Sequence, residues 1–193
     1  MFTKPYFLVC SALLCIVLFV DLAYGQAAHV HGVGEINVAI EGSQMEIEIE
    51  GPGANFVGFE HAARTVEERS AVRAAEQRLR QPMTLLVLPQ AARCALQEVD
   101  LSIPAGAMTG PNRSGKHGHD DDHKHNHDNG HDDWRARYVF ACTAPAALSS
   151  IRTAPWFTAF PNTRELRAQV ISGFGQSGLT LTPAQSRIVL RTR

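Results

Sequence analysis

The chain has 193 residues, of which 45% are hydrophobic and 19% are charged, so it can form one ordinary globular domain with a core but not two large ones. Its formal net charge is −1, and its basic residues are spread along the chain. The sequence therefore lacks the clustered basic surface that binding to nucleic acid or to an anionic membrane would require.

The first 25 residues have the pattern of a secretory signal peptide. Lys4 precedes an apolar run over residues 7–20, and Ala23-Tyr24-Gly25 places small residues at the −3 and −1 positions of a cleavage site. An uncleaved membrane anchor is the alternative, but the run is short for a bilayer, which needs about 20 residues. We expect export, cleavage after Gly25, and a single mature domain over residues 26–193 that is not embedded in the membrane.

The pattern of residues 35–50 predicts a β-hairpin with one face exposed to solvent. Hydrophobic residues alternate with polar ones in two runs, which Glu41-Gly42-Ser43-Gln44 separates. Gly51-Pro52-Gly53 ends the second strand. A helix is then indicated by Thr65-Val66-Glu67-Glu68, which has the spacing of a capping box, and it should continue to about Arg80.

That helix is amphipathic and should pack on a sheet by one side only. Its apolar stripe consists of Val72, Ala75 and Leu79, among many arginines and glutamates. After Pro82, which ends the helix, the pattern predicts a short strand over residues 84–88, strands over 94–103 and 135–143, and two or three more within 163–171 and 180–190. The predicted fold class is α+β, a β-rich antiparallel domain with one main helix.

A long polar segment, residues 106–133, interrupts this pattern. It contains almost no apolar side chains and is dense in Gly, Asn, Asp and His. Such a segment cannot offset the entropy lost on ordering, so we expect a disordered His/Asp-rich insertion in the absence of a ligand.

Two cysteines, Cys94 and Cys142, remain in the mature chain. In an oxidising compartment they are expected to form a disulfide; a pair of metal thiolates is the alternative, but neither cysteine has a second cysteine or a histidine at ligand spacing. Cys94 opens the strand before the insertion and Cys142 closes the strand after it. An antiparallel pairing would place Leu96 near Phe140 and Ile103 near Asp133, with the disulfide at the base of the hairpin.

The insertion carries the strongest chemical signal of the sequence. Six of the nine histidines fall within fifteen positions, interleaved with carboxylates. Neutral imidazole binds zinc, copper and nickel, and a carboxylate can complete the coordination shell or hold the second ring nitrogen. The candidate ligands are His117, His119, His123, His125, His127, His131, Asp120, Asp121 and Asp122.

This surplus of interchangeable ligands differs from the four fixed ligands of a structural zinc site and the three of a catalytic one. It predicts several labile sites that exchange ions, as capture or buffering of divalent metal ions requires. The alternative is a solvated acidic linker, or a polar tract added for expression, whose histidines have no role.

Three further histidines are metal-ligand candidates. His29 and His31 flank Val30, so in an extended chain both rings point to one face as a two-ligand half-site; surface residues on a frayed terminus are the alternative. His61 follows Glu60 before the predicted helix, where the helix field disfavours an imidazolium and leaves the ring available to a metal. A packing role for His61 is the alternative.

Several short motifs, in their order along the chain, resemble a family of bacterial periplasmic zinc-binding proteins of the zinc-regulated ZrgA type. They are His29-Val30-His31-Gly32, Gly51-Pro52-Gly53-Ala54-Asn55, Gly58-Phe59-Glu60-His61, Ala92-Arg93-Cys94, the His/Asp-rich insertion, the Tyr-x-Phe-x-Cys strand at 138–142, and residues 157–161. Gly51 stands where the family often has serine. The resemblance implies zinc binding in the periplasm beside a zinc-uptake ABC transporter, with ligands among His117 to His131 and with His29, His31 and His61 as candidates.

An enzymatic role is not expected. The sequence contains no GxSxG turn, no HExxH helix and no nucleophile in a recognisable setting. The alternatives that stay open are a partner-binding β-domain, whose ordered site binds metal while the histidine segment only presents or senses it, and a nickel- or copper-binding protein.

Overall fold

The computed structural model describes residues 30–104, 107 and 133–190. The predicted signal peptide, His29, the six histidines of the insertion and Asp120 to Asp122 lie outside the described residues. Within the described part, the elements in chain order are β1 (Val33–Glu41), β2 (Gln44–Gly51), α1 (Gly53–Val57), α2 (Val66–Leu79), α3 (Pro82–Leu85), β3 (Cys94–Ser102), β4 (Trp134–Cys142), β5 (Ser150–Arg152), α4 (Ala154–Ala159), β6 (Glu165–Ser172), β7 (Gly175–Leu181) and β8 (Arg187–Val189).

Six of the strands form one sheet in the order β3-β4-β2-β1-β6-β7, while β5 and β8 form a separate pair. The pairing is antiparallel throughout the large sheet except between β1 and β6, which run parallel with Val33 opposite Glu165. The predicted α+β fold with a β-rich sheet and one main helix is confirmed. None of the described helices has the length and apolar character needed to cross a membrane.

The β1–β2 hairpin forms as predicted, with Glu41 opposite Gln44 and Gly42-Ser43 as the turn. Its alternation places Ile36, Val38, Met45, Ile47 and Ile49 in the core, and each of these side chains is at most 2% exposed. The intervening residues lie on the opposite, open face of the sheet. Helix α2 covers the core side, and its predicted stripe of Val72, Ala75 and Leu79 is buried.

Helix α2 begins where its capping box predicts. The Thr65 hydroxyl accepts a hydrogen bond from the Glu68 backbone, and the Glu68 carboxylate accepts one from the Thr65 backbone at 3.0 Å. These two backbone donors have no partner within the helix, so the box satisfies them. The helical residues end at Leu79, one residue before the predicted end.

A predicted strand at residues 84–88 is wrong. Pro82 occupies the first turn of a short helix, α3, where its missing N–H and fixed φ are tolerated. Only Val87 pairs in β fashion, as an isolated bridge to Arg152. The apolar run in this region packs in the core, with Leu85 and Leu86 at most 2% exposed. Periodicity over so few residues does not distinguish a buried strand from a buried turn of helix.

The disulfide between Cys94 and Cys142 is confirmed, with the two Cα atoms 3.8 Å apart. These residues face each other at one end of the β3–β4 pair, and Leu96 lies opposite Phe140 as predicted. The register then shifts at a bulge between Leu96 and Glu98, so that Ser102 lies opposite Arg135. The predicted alignment of Ile103 with Asp133 is therefore off by one residue, because the bulge adds a residue to β3.

Strands β6 and β7 overlap the regions predicted as strands, 163–171 and 180–190, and pair as an antiparallel hairpin, but β7 begins at Gly175, five residues before the predicted start at Thr180. The sequence did not indicate the parallel pairing of β1 with β6 or the short helices α1 and α4. An aromatic cluster joins these helices to the sheet: the Phe56 ring stacks on Trp134 with centroids 5.2 Å apart and meets Trp156 and Phe160 edge-on.

The open face of the sheet is charged. Arg137 of β4 lies between two carboxylates, with its guanidinium nitrogens 2.7 Å from Glu46 and 2.9 Å from Glu98. The hydrogen bond from Arg137 holds the pKa of the Glu46 carboxyl below its usual value. These pairs lie at a partly exposed surface, so each contributes little to stability.

One buried hydrogen bond ties the sheet to the main helix. The Tyr138 hydroxyl donates to the Leu79 carbonyl at 2.8 Å, at the last residue of α2. Burial raises the pKa of Tyr138, because the phenolate would lose its hydration. The hydroxyl thus satisfies a carbonyl that the helix leaves unpaired.

Replacing this hydroxyl, in a Tyr138→Phe variant, should lower the free energy of unfolding by about 1–3 kcal/mol, since a buried acceptor is left without a donor. Urea unfolding measures the loss. The wild-type protein should also lose stability as pH rises above about 10, the ordinary tyrosine value, because its folded pKa is raised; the variant should lack this component. Thr158→Val is a matched control, since it removes an exposed hydroxyl; an equal loss in both variants would contradict the argument.

Candidate metal-binding site

One end of the large sheet brings together the chain that leads into β1, the end of β2, the end of β3 and the start of β4. The register sets Glu35 opposite Glu50, Glu50 opposite Arg135, and Ser102 opposite Arg135. The histidine-rich insertion leaves the domain after β3 and rejoins it at β4, so both of its junctions lie here. We call this the insertion end of the sheet; the disulfide lies at the opposite end of β3 and β4.

His31 is at the insertion end, two residues before β1. Its Nε2 lies 2.9 Å from Oε1 of Glu60, and its side chain is 66% exposed while that of Glu60 is 20% exposed. The imidazole is therefore accessible from solvent and held on one side by a largely covered carboxylate.

A short helix positions the chain around His31. In α1 the Asn55 side chain is 1% exposed, accepts a hydrogen bond from the Gly32 backbone at 2.7 Å and donates one to the Val33 carbonyl at 2.9 Å. On the other side, Arg164 donates from its guanidinium to the His31 carbonyl at 2.7 Å. The backbone on both sides of the imidazole is thus fixed by side chains from two other segments.

Two glycines make this arrangement possible. Gly32 has φ +86°, and a Cβ there would lie 2.4 Å from Nε of Arg164, so only glycine lets the guanidinium lie across the chain. Gly58 has φ +89° and ends α1 in the left-handed conformation, with its N–H donating to the Ala54 carbonyl at 3.0 Å. The chain then turns into Phe59, Glu60 and His61.

His61 lies in the segment between α1 and α2. Its ring stacks on Phe59 with centroids 4.9 Å apart, and its Nδ1 lies 3.0 Å from the Ala62 carbonyl. Its Nε2 is 3.8 Å from Oε1 of Glu68, the residue that closes the capping box of α2. His61 therefore has the packing contact that the sequence left open, while Nε2 points toward a carboxylate.

The insertion also touches this segment. The Ala63 backbone donates to the carbonyl of Ala107, a residue near the start of the insertion, at 3.4 Å. At the other junction, Trp134 stacks on Phe56 of α1, the helix that carries Asn55. Both junctions of the insertion thus contact the elements that hold His31 and His61.

A shallow cavity of about 320 Å³ lies beside His31. It is lined by residues from four separate stretches of chain, and all but one of these residues belong to or directly adjoin the motifs singled out in the sequence. The lining consists of His31, Gly32, Ala54, Asn55, Gly58, Pro161, Asn162 and Arg164. The fold therefore gathers motifs that are more than 100 residues apart in sequence.

The predicted ligands divide into two groups. His31 and His61 lie in the ordered domain at the insertion end, whereas His29, the six histidines of the insertion and Asp120 to Asp122 lie outside the described residues. Over residues 30–104 and 133–190, the structure contains no group of three or more ligand-type side chains placed to hold one metal ion. The cysteines, joined to each other, do not form the alternative thiolate pair.

The roles of Glu60, Asn55 and Arg164 were missed by the sequence reasoning. Glu60 and Asn55 were present in the quoted motifs, and a polar residue in an otherwise glycine-rich motif is a signal that could have identified them. Arg164 belongs to none of the motifs, and only the parallel pairing of β1 with β6 brings it beside His31.

A family model described as "ZrgA family zinc uptake protein" matches residues 28–190, which includes the insertion and every described element. No curated protein matches the chain significantly.

Proposed function

Because the chain belongs to the ZrgA family of zinc uptake proteins, we propose that it is a periplasmic accessory protein that captures or buffers zinc for a zinc-uptake ABC transporter. Capture takes place on the histidine-rich insertion, whose imidazoles and carboxylates offer several exchangeable sites. The ordered domain carries the insertion and supplies His31 and His61 as further ligands, with His29 two residues before His31 in sequence.

This proposal rests on one observation: both junctions of the insertion contact the elements that hold His31 and His61. Ala107 contacts Ala63, two residues from His61, and Trp134 packs on the helix whose Asn55 binds the chain at His31. Zinc released from the insertion is therefore at high effective concentration near the ordered histidines, since the insertion is attached beside them.

Native mass spectrometry of the mature chain tests the assignment. The protein is mixed with zinc, copper and nickel, singly and in competition, and the bound ions are counted. Several bound zinc ions, retained in preference to nickel, support the proposal. Binding of copper or nickel alone, or no metal binding, would contradict it. A partner pull-down with the cognate transporter components, with and without zinc, tests the accessory role separately.

Zinc binding should depend steeply on pH, because protons and zinc compete for the same imidazole nitrogens. We expect occupancy to be high at pH 7.5 and to fall as pH drops below about 6.5, the ordinary histidine pKa. Calorimetric titration with zinc at pH 5.5 and 7.5 measures this. Equal affinities at the two pH values would mean that imidazoles are not the main ligands.

A further inference from the structure

We propose that strand β7, at one edge of the large sheet, pairs with β7 of a second copy of this chain, so that two sheets join into one. The pairing is antiparallel, with Gly178 of each copy at the twofold axis. It requires no metal ion and does not depend on the function proposed above.

The two edges of the sheet differ in how they are protected against pairing. Strand β3, at one edge, carries Glu98 and Asp100 and contains the bulge between Leu96 and Glu98. Charged side chains and bulges keep sheet edges from pairing with other chains. Strand β7, at the other edge, contains no charged residue and no proline, and it pairs with β6 in one continuous register. Strand β7 therefore lacks the protection that β3 has.

The outer backbone groups of β7 are accessible. The turn before β7 has two residues, with Ser172 and Gly175 as the flanking pair, and such a pair is hydrogen-bonded. Since hydrogen-bonded pairs alternate along the strand with non-bonded ones, every second residue from there directs its backbone away from β6: Gln176, Gly178 and Thr180. All three are exposed, and no described residue outside β6 forms a hydrogen bond with the β7 backbone.

This edge is complementary to itself. Antiparallel pairing about a twofold axis sets one residue opposite its own copy, and Gly178 has no side chain that would collide or repel there. Gln176 of one copy then lies opposite Thr180 of the other. Each such pair exchanges two backbone hydrogen bonds, so all the outward backbone groups of β7 gain partners. A second copy is favoured over a charged partner strand, because this edge offers no charge for such a strand to recognise.

The interface is narrow, so the dimer is weak. The register places Phe174, which is 50% exposed at the turn, beside Thr182 of the second copy, where its ring becomes partly covered. Only one strand from each copy takes part, however, and interfaces that bury less than about 1,200 Å² are typical of weak, transient complexes. We therefore expect a dimer that forms at high protein concentration and dissociates on dilution.

The pairing also fixes how the two copies are arranged. Opposite residues of an antiparallel pair have their side chains on the same face, so the two charged open faces lie on one side of the joined sheet. Because β7 of the second copy runs in the opposite direction, the insertion end of one sheet lies at the disulfide end of the other. The two insertion ends therefore point away from each other and stay uncovered by the dimer.

Sedimentation velocity of the full mature chain tests the pairing. EDTA is present throughout, so that no zinc ion bridges histidines of two copies. The sedimentation coefficient should rise from the monomer value toward the dimer value as protein concentration increases. A coefficient that stays at the monomer value at the highest concentration would overturn the proposal. A coefficient that passes the dimer value would also overturn it, because pairing about a twofold axis closes with two copies.

Two charge variants locate the contact. Gly178→Asp sets two carboxylates opposite each other, which is destabilising, so the dimer dissociation constant should rise severalfold. The monomer accepts this side chain, because a Cβ at Gly178 would lie 3.7 Å from the nearest atom, the Ala168 carbonyl oxygen. Circular dichroism checks that both variants keep their fold.

Gln169→Glu is the matched control. Gln169 lies opposite Gly178 within one copy, so the variant adds the same charge to the same face, one strand inward from the edge. The two added charges would be about 14 Å apart across the dimer, beyond the screening length of about 8 Å at physiological ionic strength. Dimerisation should therefore be nearly unchanged. Equal weakening in both variants would place the contact on the open face and overturn the proposal.

Cysteine cross-linking tests the register. Gly178→Cys sets two thiols on residues whose Cα atoms are about 5.5 Å apart, a separation that suits a disulfide, so mild oxidation should join the copies. Gln176→Cys should not cross-link to itself, but it should cross-link to Thr180→Cys when the two variants are mixed. The native cysteines do not compete, because they are bonded to each other. No cross-link through Gly178→Cys, or efficient self-linking of Gln176→Cys, would show that this pairing is wrong.

Discussion

Deletion of residues 117–131 is expected to remove most of the zinc that the protein binds, while the domain remains folded. The deleted stretch contains six of the nine histidines, and the two cysteines of the described domain are joined to each other, so that His31 and His61 are the histidine and cysteine ligands that remain in the described residues. The number of bound zinc ions, measured by native mass spectrometry, should fall severalfold. Circular dichroism checks the fold.

Two variants of the same length identify the ligands within the insertion. Replacing its six histidines with asparagine removes the imidazoles and keeps the carboxylates, so binding should fall as in the deletion. Replacing Asp120, Asp121 and Asp122 with asparagine keeps the imidazoles and should spare most of it. If the deletion variant retains most of its zinc, an ordered site dominates, and the insertion only presents or senses the metal.

Removal of the disulfide, in a Cys94→Ala/Cys142→Ala variant, is expected to lower the free energy of unfolding by up to about 4 kcal/mol. The bond joins residues separated by 48 positions, and closing a loop of this size restricts the unfolded chain. The value is an upper figure for the bond itself, because strain in the folded state would reduce the stabilisation that loop closure gives. Urea unfolding of the two proteins measures the difference.

Reductant provides the control for this comparison. The wild-type protein should lose most of the same free energy when reduced, whereas the double alanine variant should not respond. A wild-type unfolding midpoint that is unchanged on complete reduction would contradict a stabilising role. The position of the bond relates this loss of stability to function. The disulfide holds β3 and β4 together at one end, while the insertion separates the two strands at the other end.

The location of the bond also bears on metal chemistry. The two sulfurs lie at the end of β3 and β4 opposite to His31 and to both junctions of the insertion. Zinc binding at the insertion end is therefore expected to be insensitive to mild oxidants. This separation follows from the register of one strand pair.

Much of the fold followed from local patterns. Strict alternation predicted β1, β2 and β4, since the sheet has one buried and one charged face and the side-chain period of a strand is two. The capping box at Thr65 predicted the start of α2 because its hydrogen bonds are local. The disulfide followed from two cysteines at matching ends of strands that flank one insertion.

The errors arose where local patterns do not determine the outcome. Residues 84–88 form an apolar run too short to separate a strand from a buried turn of helix, and Pro82 favoured the helix. The bulge between Leu96 and Glu98 depends on how β3 meets β4, so alternation alone could not locate the shift in register.

The sequence by itself determined that this protein carries a dense set of imidazole and carboxylate side chains on a polar insertion, because both the side-chain chemistry and the lack of apolar residues are properties of composition. It also determined the amphipathic elements on which the insertion is mounted. Only the tertiary structure decided that His31, Glu60, Asn55 and Arg164 meet. These residues come from separate segments, and the parallel pairing of β1 with β6 and the turn after α1 are long-range arrangements that no local pattern encodes.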